Sequence, residues 1–229
     1  MALYALSDLH LSHANDKPMD IFGENWKNHT QKIFENWNST VSENDTVLVA
    51  GDISWAAKLD EAKQDLDFIS ELKGKKVLIC GNHDYFWNST ARLNDMYDNM
   101  FFVKNSYYDY NGIAICGTRG WICPNDTLFT DHDLKIYNRD VNRLRTSLEA
   151  AKQKGYKEIV AMLHFPPTND KKEISGFVEL FKEYDVKKVV YGHLHNEDYF
   201  HNSLIGEVDG IEYFLTSADY LDFKPIKIL

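Results

Sequence analysis

The chain has 229 residues, 44% of them hydrophobic, and a formal net charge of -10 at pH 7. That length suits a large core in one domain over residues 1–229, and the acidic balance argues against nucleic acid or an anionic membrane as partner, since both attract polybasic patches. There is no long uncharged apolar segment, the N-terminal stretch meets Asp8 too early for a secretory signal, and Cys80, Cys116 and Cys123 form no C-x-x-C pair, so a soluble cytoplasmic protein with buried thiols is expected.

In chain order, the apolar run 2–7 reads as a strand. Trp26, Thr30, Ile33, Phe34, Trp37 and Val41 then share a helical face. A strand at 46–50 precedes a helix striped by Leu59, Ala62, Leu66 and Ile69, and a third strand follows at 76–80. Shorter strands are expected at 101–103, 107–110 and 113–117, the last two joined through Asn111-Gly112. The aspartate- and aromatic-rich segment from Trp121 to Tyr137 reads either as a lid or as an ordinary loop. Val141, Leu144, Leu148 and Ala151 mark another helix, 159–163 a strand, Ile174, Phe177, Val178 and Phe181 a helix, and 188–191 a strand. Asp209-Gly210, between apolar runs 204–208 and 211–216, signals a tight hairpin. The result is an α/β protein whose strands form a mixed sheet, in one layer or in two packed ones.

Polar residues fall at one place relative to the strands. Asp8 and His10 follow the first run, Asp52 the second, Asn82-His83-Asp84 the third, His164 the fourth, and His193-Leu194-His195 the fifth. Every one lies at a strand's carboxyl end, where loops converge and ligands bind in α/β sheets. Gly51, Gly81 and Gly192 precede three of these groups, allowing a sharp turn or a close approach. Two carboxylates, one amide and four imidazoles without a thiolate make an oxygen/nitrogen set suited to manganese, iron or zinc and ill suited to calcium. Seven ligands are too many for one ion, so two divalent ions sharing a carboxylate are expected, with water activated between them at neutral pH.

Together the five ordered motifs, Asp8-Leu9-His10, Gly51-Asp52, Gly81-Asn82-His83-Asp84, His164 and Gly192-His193-Leu194-His195, resemble those of the calcineurin-like metallophosphoesterases. The resemblance implies a four-layer αββα sandwich of mixed sheets with the metal site at the strand ends. It implies Asp8, His10 and His195 on a first metal, Asn82, His164 and His193 on a second, and Asp52 bridging. His83 would face the leaving group as an acid, or else support a ligand. The expected reaction is hydrolysis of a small-molecule phosphate mono- or diester by in-line attack of a metal-bridging hydroxide. Arg119, in a glycine-flanked loop after a strand, has two open roles: a clamp on substrate phosphate, or a structural ion pair. His13, His29, His132 and His201 match no motif and read as surface or packing residues, with His13 also a candidate for the site rim.

The sequence departs from the protein Ser/Thr phosphatases of that family. Their second motif, G-D-x-x-D-R-G, supplies an aspartate to orient the catalytic histidine, whereas here Asp52 is followed by Ile53-Ser54-Trp55-Ala56. A typical protein phosphatase is therefore not expected, and what orients His83 stays open. Two other readings compete with small-molecule hydrolysis: a non-catalytic binding module on the same fold, and a DNA nuclease, which the acidic charge disfavours.

Overall fold

The computed structural model describes residues 1–15 and 17–229. Its elements run β1 (Leu3–Ala5), α1 (His29–Thr40), β2 (Thr46–Val49), α2 (Leu59–Glu71), β3 (Lys75–Leu78), α3 (Thr90–Asn94) and β4 (Met100–Phe102). There follow β5 (Tyr107–Tyr110), β6 (Ile113–Thr118), α4 (Asp131–Gln153), β7 (Glu158–Leu163), α5 (Gly176–Glu183), β8 (Lys188–Tyr191), α6 (Glu197–Phe200), β9 (Gly206–Val208), β10 (Ile211–Leu215) and β11 (Ile226–Lys227).

Two compact units result, Met1–Phe102 with Thr216–Leu229, and Val103–Leu215. The first holds a sheet ordered β11-β1-β2-β3-β4, parallel except for β11. In the second the order is β5-β6-β7-β8-β10-β9, with four parallel strands inside and an antiparallel strand at each edge. Both sheets are mixed and both units carry helices, as an α/β chain requires. No helix among the described residues is long and apolar enough to cross a membrane.

Local chemistry explains the elements. All five apolar runs form strands, and β2 is buried at every position. Pairing continues past two of the assigned ends, where Leu6 and Ile79 donate to the carbonyls of Leu48 and Val49. The edge strands of the second sheet come from two tight hairpins. Asn111 and Gly112 (φ 51° and 87°) join Tyr110 to Ile113, and Asp209 and Gly210 (φ 53° and 75°) join Val208 to Ile211. Left-handed backbone at both central residues is the primed turn that matches strand twist.

Helix boundaries differ more from expectation. α1 buries Ile33 and Trp37, but Phe34 from the same stripe is 41% exposed. Ile174 precedes α5, because the Ser175 hydroxyl accepts from the Phe177 and Val178 amides and starts the helix there. α4 begins at Asp131, well ahead of its apolar stripe, since Thr130 and Asp133 form a reciprocal capping box. The last seven residues of the Trp121–Tyr137 segment are thus helix, and 121–130 are turn and irregular chain. The same helix ends where Gly155 (φ 94°) and Tyr156 donate to the carbonyls of Lys152 and Ala151, the two hydrogen bonds of a left-handed glycine stop.

Candidate active site

In the first unit, Asp8, His10 and Asp52 are buried and sit just beyond β1 and β2. Their loops are laced together: the Asp8 amide donates to the Gly51 carbonyl, and the His10 amide to that of Asp52, both at 3.0 Å. All three residues hold left-handed backbone, with φ of 57°, 46° and 50°. Side-chain residues adopt that region at a cost, and such strain collects at functional sites. A carboxylate oxygen of Asp8 and a ring nitrogen of His10 lie within 4.8 Å of each other. Asp52 Oδ2 lies 3.8 Å from His10 Nε2 and 4.0 Å from His83 Nε2, too far for hydrogen bonds. Asn82 and His83 follow β3, both half-buried, and the His83 amide donates to Asp52 Oδ1 at 2.9 Å.

Several supporting residues were not assigned a role from sequence. Asp84 accepts three backbone bonds, from Ile53 (2.8 Å), Ser54 (3.1 Å) and Gly81 (2.7 Å), and so clamps the loop after β2 to the loop after β3. Burial pushes its carboxyl up to about 7, the charge of Asp52 adds to this, and the three amides oppose it. Asp65 of α2, fully buried, accepts from the His13 amide (2.9 Å), pairs with the His13 ring (2.6 Å) and takes the Ser54 hydroxyl. His29 is a packing residue: its Nε2 donates to the His10 carbonyl at 3.3 Å, and burial lowers its pKa. Trp55 lies flat against His10 (centroids 4.9 Å apart, planes at 22°) and tilted against His83 (4.3 Å, 50°).

In the second unit, His164 follows β7 and is fully buried, while His193 and His195 follow β8 and are half-buried. His164 Nε2 and His193 Nδ1 approach to 3.2 Å, and the Gly192 amide donates to the His164 carbonyl. His193 is also left-handed, at φ 72°. Phe165 packs on its ring at 4.1 Å, and Trp121 packs on Phe165 at 5.2 Å. Arg119, just past β6, accepts on its carbonyl from the His164 and Phe165 amides. Its guanidinium lies 4.8 Å over Trp121, and its Nε is buried with no hydrogen-bond partner among the described residues. The structural ion pair weighed for Arg119 is not formed there. His132 and His201 are exposed; Cys116 and Cys123 are buried free thiols, pushed up to about 12 by burial, and Cys80 is a half-buried thiol.

The donor chemistry of each unit fits a divalent cation. Ligands about 2.0–2.2 Å from one ion stand roughly 3–4 Å from each other, which is the separation of His164 Nε2 from His193 Nδ1 and of Asp52 Oδ2 from His10 Nε2. Imidazole and carboxylate without a thiolate suit manganese, iron or zinc.

Known proteins place this geometry in context. The chain is 35% identical over 78 residues (34% of its length) to the Gene 66 protein of Mycobacterium phage L5. It is 27% identical over 122 residues (53% of its length) to the acyl-carrier-protein phosphodiesterase PptH of Mycobacterium tuberculosis. The matched stretches span 37% and 30% of those two proteins. In three dimensions the crystal structure of PptH superposes with a TM-score of 0.57 at 16% identity, covering 100% of this chain and 95% of that one. The TT1561 structure from Thermus thermophilus does so at 0.60 and 14%, covering 98% and 96%; at these identities the likeness is one of fold. The calcineurin-like phosphoesterase model matches residues 1–197, and the chain belongs to that family.

Proposed function

We propose that the protein is a metal-dependent hydrolase of small-molecule phosphate mono- or diesters, acting in the cytoplasm, and not a typical protein Ser/Thr phosphatase. The observation that carries this reading is the Asp52 carboxylate, in a member of this family, buried with two imidazoles about 4 Å from one oxygen. Asp8, His10, Asp52, Asn82, His164, His193 and His195 are the proposed ligands of two divalent ions, manganese, iron or zinc. Such ions, when bound, neutralise phosphoryl charge and make water acidic enough to act as a nucleophile at neutral pH. Asp84 and Asp65 hold the loops that present the ligands, which lowers the reorganisation needed when substrate binds. Arg119 offers a guanidinium fork to the phosphate, and its buried Nε without a partner supports that role. His83 is the proposed proton donor to the departing alkoxide. The phosphodiesterase activity in the name of PptH makes diesters the first class to assay.

The test is a paired substitution assayed on aryl and alkyl phosphate esters. Asp52→Asn, which keeps a residue tolerant of left-handed backbone, is expected to lose bound metal and activity together. His83→Ala is expected to keep its metal and lose about 10² to 10⁴ in turnover, most for poor leaving groups. Equal metal loss in both variants would instead place His83 among the ligands or their supports. Should purified, metal-loaded protein hydrolyse neither ester class, the binding-module reading takes its place.

A further inference from the structure

Trp55 stands where related phosphatases have the carboxylate that orients the catalytic imidazole, so something else must hold His83. Its backbone is anchored by the hydrogen bond that its N–H donates to Asp52 Oδ1. Among the described residues no side-chain oxygen is within hydrogen-bond distance of its ring nitrogens; Asp52 Oδ2 remains 4.0 Å from Nε2. The His83 ring instead leans on the Trp55 indole, centroid to centroid at 4.3 Å. Trp55 is itself fixed on several sides. Its amide donates to the Leu11 carbonyl at 2.9 Å, its Nε1–H donates to Met19 sulfur at 3.1 Å, His10 stacks at 4.9 Å, and the Lys17 ammonium lies 4.5 Å from the ring centroid.

We propose that Trp55 is the positioning residue for His83, setting the plane of the imidazole by ring contact where a carboxylate would set it by a hydrogen bond. The inference rests on the phosphoesterase reading for its kinetic consequence, but not for its structural one. A ring contact restricts the side-chain rotamer while leaving both ring nitrogens clear of a bound carboxylate. An aromatic pair of this kind biases a rotamer population by about 2- to 12-fold, and that is the scale of effect expected when it is removed.

Two readouts separate this role from general support. In metal-free protein, the ring signal of His83, identified by its absence in His83→Ala, is expected to be displaced from that of free histidine by the indole ring current. Trp55→Leu should return it toward the free value, and Trp55→Phe should retain part of the displacement. In metal-loaded protein, Trp55→Leu should lower kcat about 10-fold on an alkyl phosphate ester and less than about 2-fold on a nitrophenyl ester, with KM and bound metal unchanged, and Trp55→Phe should recover most of the loss. A His83 signal that stays put in Trp55→Leu overturns the proposal. So does equal kcat loss on both esters with loss of metal, which would assign Trp55 to His10 instead. If Trp55→Leu does not fold, Trp55→Phe decides: a signal displaced as far as in the wild type overturns the proposal, and a reduced displacement supports it. If wild-type protein hydrolyses neither ester, the functional reading fails while the ring signal still judges Trp55.

Discussion

At Gly81 there is no room for a side chain: a Cβ would lie 2.1 Å from Asp52 Oδ1 and 2.2 Å from the Asp52 amide nitrogen. Gly81→Ala is therefore expected to push the loops after β2 and β3 apart, costing about 1–3 kcal/mol of stability and weakening metal retention. Urea titration and metal analysis of the same sample check both effects. Asp65→Ala should cost a similar amount, about 1–3 kcal/mol, because it strips a buried acceptor from the His13 amide and the Ser54 hydroxyl; a urea midpoint equal to wild type would refute this. The glycines, aspartates and histidines at strand ends were legible because they interrupt apolar runs at consistent places. Their left-handed backbone was not, since Asp8, His10, Asp52 and His193 are not the glycines that ordinarily mark it. Asp65 escaped notice as one more polar helix residue. It lies on the same face as Ala62, Leu66 and Ile69, and an acid on an apolar stripe is the signal that would have found it.

Among the elements, strands and hairpins were legible, whereas helix ends were set by caps that periodicity does not register. The Thr130 and Asp133 capping box starts α4 more than three turns before its first buried leucine, Leu144, and β11 is too short to show a pattern. Gly155 tests the other end of α4: with φ 94° and nothing within 4 Å of a built Cβ, Gly155→Ala should cost about 1 kcal/mol through backbone strain alone, visible as a lowered urea midpoint. Lys76 of β3 tests a different device. Its ammonium is fully buried and donates to the carbonyls of Ser70 and Leu72 at the end of α2, and burial lowers its pKa from 10.5 to about 8. Between those values the unfolded chain holds more protons than the folded one, so this lysine makes stability rise with pH across that window, by at most about 1.4 kcal/mol per unit. Lys76→Met should remove that rise, which urea unfolding of both proteins across the window will measure.

For the molecule as a whole, net charge and chain path are the informative quantities. With a formal charge of -10, the protein should show no salt-dependent retention on immobilised DNA; retention that weakens with salt would favour the nuclease reading. The family match ends at residue 197, yet the first unit is completed by Thr216–Leu229. β11 pairs with β1, and Thr216 accepts the Ser7 amide at 2.7 Å while its hydroxyl meets that of Ser7 at 2.9 Å, next to Asp8. Truncation after Leu215 keeps every proposed ligand and is nonetheless expected to lower the melting temperature and the metal content; an unchanged metal content would show that the loop of Asp8 stands without this support.

That path also orders events on the ribosome. All of Val103–Leu215 is made between the two portions of the first unit, a delay of about 6 to 23 s at ordinary elongation speeds. For that interval the nascent β1 lacks its antiparallel neighbour, and Leu6, Leu9 and Trp37 belong to an unfinished core. Holding chaperones have their longest opportunity then.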